Sequence, residues 1–309
     1  MKHRPSLRSR LTACCTPCGQ QNDRLAALAP WQATTVCIAS LGLLVPVTIV
    51  PAMLVSRVVR PEPPIEPVYS GLLGTAVAVL TFALVVRLIG VPMRAIFLVQ
   101  PSLRTLQWAG AGVTIATTLV LFTMVVTDGA VGIGTISLDS ILLHLAVGAA
   151  IGLWTGTVEE LVLRGLLLSI IGHQWHWPGA ICVTSLLFGA MHHAHAPASH
   201  GVVLYVTLTT IAGLFFALVT VSTGNVWNAV ALHGAWNAVF HETVVSLARD
   251  PASDALIQYT VETNVWLVGG SHAAVTESLA AVLLFAGIVT AYLWYRLATI
   301  DGAHQEHNQ

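Results

Sequence analysis

Apolar runs near twenty residues long follow one another along most of this chain, and about 20 such residues make a helix that spans a bilayer's hydrocarbon core. They fall at 34–55, 71–88, 106–126 and from 141 onward, then at 179–192, 202–221, 226–245 and 273–293. The pattern predicts an all-α fold, a polytopic transmembrane helical bundle of about eight spans. Composition agrees: only 9% of residues are charged and the mean hydropathy is +0.78, against about 25% charged in a soluble domain. The lipid bilayer is therefore the first partner implied. Nucleic acid is not, because the net charge is -1 and the basic residues form no stripe.

Those basic residues report topology instead, since cytoplasmic segments are enriched in Lys and Arg. With a cytoplasmic N-terminus, Lys2, Arg4, Arg8, Arg10, Arg24, Arg87, Arg94, Arg104, Arg164 and Arg296 lie inside, and only Arg57, Arg60 and Arg249 outside. The chain divides accordingly. Residues 1–30 read as a basic, disordered cytoplasmic tail without the apolar stretch of a signal peptide, and 31–135 as N-terminal spans. Residues 140–245 form a polar-centred core, 246–272 an extracytoplasmic loop, and 273–309 the last span with a cytoplasmic tail. Pro46 and Pro51 should kink the first span, and PEPPIEPVY from Pro61 reads as an extended connection. No internal repeat is evident, so the inverted-repeat signature of secondary transporters is missing.

Between Ser140 and His241 the only Asp, Glu, Lys or Arg residues are Glu159, Glu160 and Arg164, in TVEELVLRG. Each ionisable group at mid-membrane costs about 2.5 to 3.5 kcal/mol on insertion scales, so the cluster needs partners or a water-filled cavity and marks a functional site. Four residues separate Glu160 from Arg164, which puts them on one helix face with the acid in the favourable N-terminal place. Glu159 points about 100° away. Two readings stand: both acids shield the arginine, or Glu160 and Arg164 brace the helix while Glu159 takes a proton.

Two later runs supply polar companions. In LLFGAMHHAHAP, Phe188 and His192 lie four apart, and in ALHGAWNAVF so do His233 and Asn237. Taken in order, EExxxR at Glu159 to Arg164, FxxxH at Phe188 to His192 and HxxxN at His233 to Asn237 resemble the motif set of the CPBP family. These are the CAAX-protease and bacteriocin-processing (Abi) intramembrane proteases. The likeness covers about 148–245, with Thr223 and Gly224 at the turn before the last motif helix. It implies hydrolysis of a peptide bond in a membrane-associated protein or peptide. Glu159 and His192 would activate water, His233 and Asn237 would stabilise the oxyanion, and Glu160, Arg164 and Phe188 would support them. No cofactor is favoured; a divalent metal such as zinc is the alternative, although the HExxH spacing is missing.

Other polar groups read more simply. Trp175, Trp177 and Trp227 resemble interfacial anchors, and His173, His176, His193, His195 and His200 solvated span ends, with HHAHAPASH an alternative metal group. His241 and Glu242 mark the outer end of a helix. Cys14, Cys15 and Cys18 with His3 make a weak zinc set, while Cys37 and Cys182 act as small hydrophobes. Three function classes follow: an intramembrane endopeptidase, a non-catalytic immunity or scaffold protein, and a proton- or metal-coupled transporter. In each case the chain is a multi-pass protein of the cell membrane.

Overall fold

The computed structural model describes residues 23–59, 65–134, 137–193, 201–252, 254–262, 267 and 275–306. Among the described residues eight long helices answer the eight apolar runs. They are α1 (Pro30–Leu54), α2 (Glu66–Ile89), α3 (Leu103–Val126), α4 (Leu138–Gln174), α5 (Trp177–His193), α6 (Val202–Thr223), α7 (Val226–Val239) and α8 (Leu279–Glu306). Among the described residues α2, α3, α4, α6 and most of α8 are long and apolar enough to cross a membrane. The outward side chains include Leu80, Leu84, Leu88 and Val125, each more than half exposed, as a lipid-facing surface requires.

Local chemistry sets several boundaries. Gly224 takes the left-handed conformation (φ 66°) that ends α6, and the Asn225 side chain then caps α7 by accepting from the Trp227 N–H at 3.0 Å. Pro67 lies in the first turn of α2, where a missing N–H costs nothing, so the proline-rich connection is shorter than its sequence suggests. Pro46 and Pro51 both sit inside α1, which passes into π geometry at Val55–Val59. The continuous helix α4 also changes character: Leu161–Leu167 is a π-helical stretch that carries Arg164.

α7 lies at the centre, against α3, α4 and α6. It reaches α4 through glycines. A Cβ built on Gly152 overlaps the Gly234 carbonyl oxygen, and one on Gly234 comes within 3.0 Å of the Gly152 oxygen. Small residues bring helix backbones together in this way where lipid supplies no hydrophobic drive. Gly152→Ala is expected to cost about 1–3 kcal/mol, the usual cost of overpacking, read as a lowered melting temperature in detergent; an unchanged melt would show that the backbones can part.

The apolar run 226–245 does not continue as helix to its end. α7 stops at Val239, and Val245–Ala248 forms strand β2, whose burial alternates residue by residue. Strand β3 (Ile257–Val261) pairs parallel with β2 and antiparallel with β1 (Gly129–Ile133), in the order β1-β3-β2. A small sheet thus occupies part of the stretch expected to be a plain loop. The buried Tyr259 ties it to the end of α3 by donating to the Thr127 carbonyl at 2.9 Å.

Candidate active site in the helical core

Glu160 and Arg164 are both fully buried, and Arg164 Nη1 donates to Glu160 Oε1 at 3.0 Å. The same carboxylate oxygen accepts from His233 Nδ1 of α7 at 2.9 Å, so one acid joins two helices. Arg164 Nη2 reaches the Gly213 carbonyl of α6 at 3.0 Å. Its guanidinium carbon stands 4.5 Å from the Phe188 ring centroid and 5.6 Å from that of Phe216, within range for cation–π attraction. A buried cation is tolerated only when paired and hydrogen-bonded, and these contacts supply both conditions.

Glu159 takes a different course. Its side chain and that of His192 are 26% and 20% exposed, with His192 Nε2 4.0 Å from Glu159 Oε2. That is too long for a direct hydrogen bond. The other ring nitrogen, Nδ1, lies 2.8 Å from the Phe188 carbonyl. Because a carbonyl only accepts, Nδ1 carries a proton, which leaves Nε2 of the neutral ring as an acceptor facing the carboxylate. The four-residue spacing also sets the Phe188 and His192 rings against each other, 4.4 Å between centroids.

A cleft of about 90 Å³ between α5, α6, α7 and the start of α8 is lined by His192, Tyr205, Phe216, His233, Asn237 and Thr276, among others. Glu159 is outside this lining and approaches His192 from α4. Phe216 stacks on the His233 ring at 4.7 Å and 18°, and Phe188 meets it edge-on at 5.6 Å. Asn237 donates through Nδ2 to Thr155 Oγ1 at 2.9 Å. Thr155, Gly213 and Phe216 escaped sequence reading, since a Thr, a Gly and a Phe in apolar runs carry no signal of their own. A second cavity, about 20 Å³ and lined by Phe82, Val158 and Leu161, is almost wholly apolar and offers no acid–base group.

The remaining candidates separate clearly. Trp175 is 72% exposed, and Trp177 packs edge-on against Phe97 at 5.6 Å. His173 is half-buried, 2.7 Å from the Ser169 carbonyl, and His241 lies in the turn after α7 beside Thr243. Among the described residues no group of three His, Cys, Asp or Glu side chains is placed to hold a metal ion. His3, Cys14, Cys15, Cys18, His195 and His200 lie outside the described residues.

An acid, an arginine and a histidine buried together inside a polytopic helical bundle define an integral membrane protein with a polar core among its spans. Residues 140–239, from α4 to the end of α7, match the family model of the Type II CAAX prenyl endopeptidase Rce1-like group, in agreement with the motif resemblance to the CPBP/CAAX proteases. No curated protein and no solved structure matches the chain.

Proposed function

We propose that this protein is a CAAX-type intramembrane endopeptidase, acting in a cell membrane on a membrane-associated protein or peptide. The observation that carries the reading is the Glu159 and His192 pair, 4.0 Å apart at the end of α5. One water about 2.8 Å from each acceptor bridges such a gap, giving a hydrogen to each and leaving an oxygen lone pair for attack. Glu159 takes the water's proton as the hydroxide adds to the scissile carbonyl, and returns it to the departing amine. The tetrahedral oxyanion is received by donors of α7. Glu160 holds the Nδ1 edge of His233, so the Nε2 edge, when protonated, serves the cleft together with the Asn237 amide.

The prenyl part of the matched family's description suggests the first substrate to try, a peptide ending in a farnesylated cysteine and three further residues. Purified protein in proteoliposomes is expected to cleave an internally quenched version of it, with a rate unaffected by a strong zinc chelator. Loss of cleavage on chelation, restored by added zinc, would replace the metal-free mechanism with zinc-activated water.

A further inference from the structure

We propose that Thr155 is a positioning residue that decides which end of the Asn237 carboxamide serves the reaction; the proposal rests on the endopeptidase reading above. A carboxamide has two ends of nearly equal size and opposite use, an accepting oxygen and a donating nitrogen. Only the nitrogen end stabilises an oxyanion. Turned over, the same side chain would set a carbonyl dipole against the developing charge.

The structure gives the side chain a reason to stay the right way round. Thr155 Oγ1 lies 3.1 Å from the Ile151 carbonyl and 3.2 Å from the Gly152 carbonyl of its own helix. Both of those oxygens only accept, so the hydroxyl hydrogen is committed backwards along α4. What Thr155 offers to α7 is then a lone pair, and the partner must be a donor. Asn237 answers with Nδ2 at 2.9 Å. One N–H is used in the anchor, and the second N–H of the same planar group remains for the cleft that Asn237 lines.

Two further features place this contact where the chemistry needs it. Thr155 precedes Glu159 by four residues, so both lie on one face of α4. The glycine contact between Gly152 and Gly234 brings α4 and α7 close one turn from the pair, near enough for a short threonine to reach across. Glu159 and the threonine that sets the oxyanion donor are thus carried by one helix.

The test compares Thr155→Val, which keeps the shape and removes the acceptor, with Thr155→Ser, which keeps the acceptor. Both are measured on the quenched farnesylated peptide beside Glu159→Gln and in an Asn237→Ala background. Thr155→Val is expected to lower kcat about ten- to hundredfold with KM unchanged, less than the roughly 100- to 1000-fold cost of losing an oxyanion donor outright. Thr155→Ser should restore the rate, and Thr155→Val should have no further effect once Asn237 is alanine. Equal losses with and without Asn237, or a serine variant as slow as the valine one, overturn the positioning role while Glu159→Gln stays inactive. Cleavage undiminished in Glu159→Gln overturns the endopeptidase reading itself, and the inference with it.

Discussion

Glu159→Gln and His192→Ala are each expected to abolish peptide cleavage while the purified protein keeps the unsubstituted melting temperature. Glutamine has the size of glutamate but cannot take a proton, and a positioned general base contributes about 100- to 10,000-fold to a rate. The histidine change removes the second acceptor on the water. Neither residue is structural in the way Glu160 is: their side chains are 26% and 20% exposed and meet at 4.0 Å, outside the buried arginine network. The melt and the rate should therefore part company. Cleavage retained by either variant sinks the reading, and an immunity or scaffold protein would keep its biological effect in both. A transporter would instead lose proteoliposome flux with Glu159→Gln.

Glu160→Ala should produce the opposite pattern, a large loss of stability. The substitution leaves Arg164, with no exposed surface, to the Gly213 carbonyl and two aromatic faces. It also removes the oxygen that holds His233. Breaking one side of a buried ion pair costs about 3–5 kcal/mol, because the remaining charge has neither water nor partner. Chemical unfolding in micelles reads this directly. A loss under about 0.5 kcal/mol, the range of an ordinary surface change, would mean that the acid is dispensable. Replacing Glu160 and Arg164 together by leucine and methionine should recover much of the deficit, since apolar replacement of a whole buried pair is often neutral or stabilising.

Much of this arrangement is legible along the chain because its causes are local. The Glu160 to Arg164 contact follows from four-residue spacing, and the separate course of Glu159 follows from helical phase. The bond from His233 to Glu160 spans 73 residues, and no periodicity forecasts it; only the order of the three motifs hints that the helices meet. The early end of α7 at Val239 and the pairing of strands β2 and β3 are hidden for other reasons. In the apolar run 226–245 nothing marks where helix gives way to strand, whereas IQYTV of β3 does alternate apolar and polar residues, and what stays hidden there is its pairing with the distant β1. Phe216 is invisible by composition, as an aromatic ring in an apolar span looks the same whether it faces lipid, core or an imidazole.

The glycine seam between α4 and α7 bears on the choice between enzyme and transporter. Backbones that meet at Gly152 and Gly234 without intervening side chains set the two helices carrying Glu159, Thr155, His233 and Asn237 directly against each other. Alternating access demands that two halves of a binding site swing apart. A catalyst has the reverse need, a constellation whose relative positions are settled at folding and require no reorganisation during each turnover, and a close glycine seam between α4 and α7 suits that need.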